Sequence, residues 1–216
     1  MKLLNHTYTW SSVLLIIAAF GITSCATTGM QRSEDTRTTM ETMENDIQKV
    51  SRQLDTTGTS LEALMRPGQT DVKQAFDAYS NNVVEMLAME KKFAKHAEEM
   101  RKRGIDYFEE WKKEGTEYDN PEIQKLSNER RAALGDIYDK IAENSIGVNE
   151  AFKAYVSDLK EIQTFLSNDL TTKGIAAIGP TSKKVVTKGN NLHYAIQNVQ
   201  TAIQNARAEM SQSGTN

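Results

Sequence analysis

The sequence predicts an all-α protein, an elongated antiparallel bundle of about four long helices with coiled-coil-like packing. Three observations predict it. Apolar residues recur at alternating spacings of three and four along most of the chain, the a/d pattern of helices that pack side by side. Breakers are scarce, with three prolines and twelve glycines among 216 residues. Valine, isoleucine and tyrosine do not gather into alternating runs, so strands are not expected. The length suits one domain with a substantial core or one elongated bundle.

Residues 1–24 read as a secretory signal. Lys2 gives a positive start, no acid occurs before Glu34, and Val13 to Phe20 is an unbroken run of eight apolar residues. That run is long enough for a signal and too short to span a bilayer. Ile22-Thr23-Ser24-Cys25 follows, and Cys25 is the single cysteine, so it has no internal disulfide partner. The four residues resemble the bacterial lipobox. There, small residues beside the cut admit the peptidase, and the thiol takes a diacylglyceryl thioether. The resemblance implies a mature chain that starts at Cys25, with acyl chains such as palmitate on its sulfur and its new amino group. An ordinary cleaved signal with an incidental cysteine and a retained signal anchor are the alternatives. Ala26, where sorting rules of Gram-negative envelopes place aspartate for retention, implies the periplasmic face of the outer membrane.

Residues 25–30 form a lipidated tether, and 31–212 a single bundle domain. The first helical seam is Met40, Met43, Ile47, Val50, Leu54, Leu61 and Leu64, in register across Thr57. Thr56-Thr57-Gly58-Thr59 softens it, since glycine costs about 1 kcal/mol against alanine. One helix with a soft point and two collinear pieces are both compatible with this pattern. Arg66 to Thr70 is a turn, and Thr70 or Asp71 caps the next helix.

The second helix carries Val72, Phe76, Tyr79, Val83, Met86, Phe93, Ala97, Met100, Tyr107 and Trp111, interrupted only by Glu90 and Gly104. Asp71 to Tyr118 as one helix would be about 70 Å long. Asn120-Pro121-Glu122 then restarts the chain with a cap, a proline at the first helical position and an acid in the first turn. The third seam is Ile123, Leu126, Leu134, Ile137, Ile141, Val148, Phe152, Tyr155, Leu159, Ile162 and Leu166. A one-residue drift beside Gly147 predicts a local irregularity. Residues 167–180 read as a loop with one helical turn. The fourth helix runs from about Thr181, with Val185, Gly189, Leu192, Ile196, Val199, Ile203, Ala206 and Met210 in its seam, and 213–216 form a disordered tail.

Catalytic chemistry finds little support. Neither His96 nor His193 has an acid or histidine at a helical spacing that would suggest a metal site, and no Glu-x-x-His motif occurs. No nucleophile elbow, P-loop or dinucleotide fingerprint is present. Glu109 and Glu110 point about 100° apart on a helix and do not converge on one substrate atom. Nine methionines, several on the seams, read as core filling. No enzyme activity, cofactor or metal is expected. The net charge of −3, with both signs mixed, gives no reason to expect nucleic acid as a partner.

Lys91, Lys92, Lys95, Arg101, Lys102 and Arg103 form a basic stretch ahead of Glu109, Glu110, Glu114, Glu117 and Asp119. It reads as a solvated face or as a patch for lipid phosphates or an acidic partner. Glu90 in the second seam and Arg130 on the facing helix are candidates for a buried register-fixing pair, unless both extend outward. Gly104, Gly135, Gly147 and Gly189 permit close helix approach or mark bends.

Tyr107-Phe108-Glu109-Glu110-Trp111-Lys112-Lys113-Glu114 with Tyr118, then Tyr155-x-x-x-Leu159 and Phe165-Leu166-x-Asn168-x-Leu170, resemble a bacterial family of all-helical envelope lipoproteins of unknown function. The resemblance spans nearly all of the mature chain. It implies long antiparallel helices at a membrane and brings no catalytic residue. The expected role is a lipid-anchored structural or interaction protein of the cell envelope, with a protein partner or self-association through its helical faces. A carrier of lipid or another hydrophobic ligand between the helices is the alternative, resting on Tyr107, Phe108, Trp111 and the basic stretch before them.

Overall fold

The structure is a computed structural model that describes residues 29–114 and 118–211. Four helices follow in order: α1 (Gly29–Leu64), α2 (Val72–Glu114), α3 (Pro121–Asn168) and α4 (Thr172–Ser211). Each packs on its two neighbours in a ring, α1 on α2 and α4, α3 on α2 and α4, and neither diagonal pair approaches. This is the up-down-up-down bundle that short connections favour. The longest helix, α3, has 48 residues and is about 72 Å long.

Side chains at the helix ends set their limits. Asp71 caps α2 by accepting from the Gln74 N–H at 2.9 Å, and Asn120 caps α3 by accepting from the Glu122 N–H at 2.9 Å, with Pro121 in the first turn. Between α1 and α2 the chain turns through Gly68 at φ 75°, where a side chain would be strained.

The sequence-predicted seams form one continuous core. In α1 it runs through Met40, Met43, Ile47, Val50, Leu54, Thr57, Leu61 and Leu64. Thr57 is fully buried, and the helix passes through Gly58 without a break, so the two-piece alternative is wrong. Helix α1 also begins at Gly29, inside the expected tether.

Three further expectations are corrected. The α3 seam uses Tyr138 rather than Ile137, and it includes Ser145. With those two residues the spacing stays three and four from Leu134 to Leu166, and the drift beside Gly147 vanishes. Ser145 escapes an apolar pattern because it is polar, yet it is buried with its hydroxyl donating to the Ile141 carbonyl. Ile123 and Leu126, read as seam residues, are exposed.

Residues 172–180 are helix, not loop, so α4 begins nine residues before the expected start. Thr171 caps it, its hydroxyl accepting from the Gly174 N–H at 3.1 Å and donating to Asp169 at 2.7 Å. Gly174 sits so close to the Asp169 backbone that a Cβ would collide with it. Pro180 lies on the exposed face, where water can bond the Ala176 carbonyl left without its N–H partner.

Tyrosines of α2 and α3 bridge neighbouring helices. The buried Tyr79 hydroxyl donates to the Leu159 carbonyl at 2.7 Å, and Tyr138 donates to the Met100 carbonyl at 2.6 Å. Burial pushes the hydroxyls of Tyr79, Tyr138 and Tyr155 well above the ordinary phenol range, so they remain donors at any ordinary pH. The Tyr138 ring fills the space over Gly104, and Tyr155 presses on Gly189.

Two outcomes follow from this packing. Ile141→Asp places an unpaired charge at a fully buried position and should abolish cooperative thermal unfolding; a nearly unchanged melting curve would contradict the core. Gly104→Ala should cost about 1–3 kcal/mol by overpacking, and most of that penalty should disappear in a Tyr138→Leu background. Urea unfolding of the four chains in that cycle measures the coupling.

Candidate functional site

Polar and aromatic groups concentrate at the end where α1 and α3 begin and α2 and α4 finish. Arg32, in the first turn of α1, is almost wholly buried yet charged. It grips Glu114 with two parallel bonds, Nη1 to Oε1 at 2.8 Å and Nη2 to Oε2 at 2.5 Å, while its Nε lies 3.6 Å from Glu110. This bidentate geometry suits arginine and carboxylate. The hydrogen bond from Arg32 holds the Glu114 carboxyl below its usual range, and Glu114 in turn raises Arg32.

Tyr107 and Phe108 are neighbours on α2, and Trp111 stands about one turn further on. Tyr107 meets Phe108 and Trp111 edge-on at 5.1 and 5.7 Å, and Phe108 meets Tyr138 of α3 at 5.8 Å. The Trp111 indole donates to the Ser127 hydroxyl at 3.2 Å. Beside this cluster an open groove of about 600 Å³ runs between α2 and α3. Its apolar walls include Ile105, Phe108, Tyr138 and Ile146, and Arg101, Lys112 and Arg131 stand on its rim with Glu109, Asp139 and Glu143.

Glu90 and Arg130 are not brought together. Phe93 faces Phe152 and Gly104 faces Tyr138, a register that sets Arg130 beside the last turns of α2. Glu90 is then roughly twenty residues away, about 30 Å along the helix. Arg130 reaches α4 instead, donating to the Glu209 carboxylate at 2.9 Å and to its carbonyl at 2.7 Å. The pairing was inferred from two seam positions without the register that decides which turns meet.

Charges on α1 supply the interhelical pairs that sequence reasoning missed. Asp46, buried, bonds His96 and lies 3.2 Å from Lys92 of α2, and Glu44 bonds Arg207 of α4. The only sequence signal was their place beside the Met43 and Ile47 seam residues. His96 therefore flanks the seam, and His193 lies 3.4 Å from Asp55. No three potential metal ligands converge among the described residues.

Much of the basic stretch is neutralised: Lys92 by Asp46, Lys95 by Glu99 and Arg101 by Glu98. Gly104 and Gly189 accept tyrosine rings, while a side chain at Gly135 or Gly147 would meet nothing. Glu109 points outward, whereas Glu110 turns toward Arg32. Cys25 and the preceding Ile22, Thr23 and Ser24 lie outside the described residues.

These features define a class, the all-α antiparallel four-helix bundle with a filled core. The chain belongs to a family described as protein of unknown function (DUF2959), whose profile matches residues 24–212. Comparison with curated proteins and with solved structures returns no match. Among the described residues no helix is long and apolar enough to cross a membrane.

The Arg32 clamp carries a pH dependence. A carboxyl with a lowered folded value adds stability at neutral pH that is lost as the pH falls through that value. In Arg32→Met, the Glu114 carboxyl should titrate at the ordinary glutamate value in an NMR pH series, and amides of the first α1 turns should exchange faster. An unshifted Glu114 titration would show that the clamp does not exist in solution.

Proposed function

We propose that this chain is a lipid-anchored structural or interaction protein of the cell envelope, a helical rod held at the periplasmic face of the outer membrane. The observation that carries this reading is the filling of the interior. Seam residues from Met40 to Leu64, Tyr79 to Met100, Tyr138 to Leu166 and Val185 to Ala206 cover one another along the length of the bundle. A bundle closed this way has its outer faces and ends available for work, and a partner or second copy would be met there. Anchoring rests on the signal-like residues 1–24 and on Ile22-Thr23-Ser24-Cys25. Two or more acyl chains would make attachment effectively permanent, because each buried methylene adds about 0.8 kcal/mol.

The groove between α2 and α3 favours a second reading, a carrier of lipid or another hydrophobic ligand. Ile105 and Ile146 on its walls are exposed to water, and cations stand at its rim.

Cys25→Ser separates anchoring from its alternatives. The variant should leave the membrane fraction or remain unprocessed, and the wild-type intact mass should carry the acyl additions. Unchanged anchoring and mass would end the lipoprotein reading. Native mass spectrometry of residues 26–216, purified gently, distinguishes the two roles: an oligomer or protein complex for the scaffold, a monomer with the added mass of a lipid for the carrier.

A further inference from the structure

The end of the bundle that holds Arg32 and Trp111 also exposes apolar side chains around its rim. Met30 on α1 is 84% exposed, Tyr118 in the α2–α3 connection 45%, and Ile123 and Leu126 on the first turns of α3 47% and 65%. They come from three elements yet converge on one end, since Arg32 meets Glu114, Trp111 meets Ser127 and Arg130 meets Glu209. Among the described residues, the other large exposed apolar side chains lie elsewhere: Ile105 and Ile146 share the α2–α3 groove, Phe165 is in the last turn of α3, and Val84 and Tyr194 stand singly on the shaft.

We infer that this rim is a membrane-contacting collar, seated in the headgroup and upper acyl region of a lipid surface, so that the rod stands end-on. The inference rests on the anchoring of Cys25 proposed above. Gly29 lies four residue steps from Cys25, and an extended chain of that length spans at most about 14 Å. The start of α1 is then held against the lipid whatever path the tether takes. From Pro121 to Leu126 the helix rises about 7.5 Å, and interfacial segments sink roughly 5–10 Å into this boundary. The collar matches the depth available.

Aromatic side chains with a polar tip suit that boundary, and Trp111 and Tyr118 lie there. Lys112, Lys113 and Lys125 have stems long enough to lie along the apolar surface with their charges in water. Glu110, Glu114, Asp119, Glu122 and Glu129 carry five negative charges against the four positive ones of those lysines and Arg32, which leaves no surplus of cations. The collar therefore enters lipid by apolar burial and gains nothing from anionic headgroups.

The sequence supplies its own probe. Its two tryptophans are Trp10, within the signal, and Trp111, so a chain processed at Cys25 has one. Full-length protein, processed and purified with its lipids, is placed in phosphatidylcholine vesicles brominated on the acyl chains, with and without phosphatidylglycerol. Three single-tryptophan chains are compared: wild type, and Leu126→Trp or Val84→Trp, each with Trp111→Phe. Both moved probes occupy exposed positions and leave the core intact.

The Leu126→Trp chain should lose roughly twofold or more of its emission, since the collar sinks far enough to bring its exposed indole to the headgroup boundary. Trp111 should be quenched less, and Val84→Trp, about 45 Å up the shaft, should not change. Quenching at both introduced positions would mean that the rod lies flat, which overturns the end-on collar. No quenching at Leu126→Trp in protein whose mass shows acylated Cys25 would overturn the collar and leave the anchor standing. A mass without acyl additions would remove the anchor itself, and the inference with it. Quenching that appears only with phosphatidylglycerol would overturn entry by apolar burial.

Discussion

An amphipathic helix of more than forty residues carries an apolar stripe that water will not tolerate, and only a partner of similar length can cover it. Everything else in this bundle depends on that constraint. Four helices of 36, 43, 48 and 40 residues meet it by closing into a ring, each covering parts of two neighbours. The three-residue link at 169–171 fixes the relative height of α3 and α4, so a slip would uncover residues at both ends. Tyrosine hydroxyls strengthen this register. Tyr79 and Tyr138 each bond one carbonyl of the facing helix, and a one-turn slip would strand a buried donor at a cost of about 1–3 kcal/mol.

Covering the stripe takes different forms at the two ends. From Ile47 to Leu64 the buried side of α1 is nearly all aliphatic, whereas from Arg32 to Asp46 it holds an arginine, a threonine and two acids among its methionines. Small residues are buried in the same half, with Ala97 and Gly104 on α2 and Ala206 on α4. Ion pairs hold this half, Arg32 with Glu114, Asp46 with Lys92 and Glu44 with Arg207, and Asp46 also bonds the His96 ring. Such pairs repay desolvation only partly, yet breaking one leaves a costly uncompensated charge. The far half is thus stabilised by apolar burial, and the near half is pinned in one arrangement by charge.

The class, the number of helices and most of the core were legible because a repeat of three and four is a local property of sequence. Its failures were also local in origin. An apolar search preferred Ile137 to Tyr138 and passed over Ser145, because it cannot see that Gly104 leaves room for a ring or that a serine can satisfy itself against its own helix. Proline and glycine at 174–180 argued for a loop, but Thr171 caps the helix and Pro180 faces outward. Pairings between helices were not legible at all. Glu90 with Arg130 failed and Asp46 with His96 went unseen for one reason: register between antiparallel helices is set by the sum of all contacts.

A filled core also limits what the molecule can do. Admitting a ligand between these helices would mean parting side chains such as Ile141, Phe152 and Ile196, which are fully buried, and each opened gap forfeits apolar burial worth about 25 cal/mol per Å². The α2–α3 groove avoids that cost because it is already open beside Gly135, where a side chain would meet nothing, and there the carrier reading asks for no rearrangement of the core. The scaffold reading asks for less still. A rod about 70 Å long carries the α1–α2 and α3–α4 connections at the end opposite to the one where charge pairs pin its register. On the proposed reading those connections stand farthest from the membrane, where a partner would meet them first.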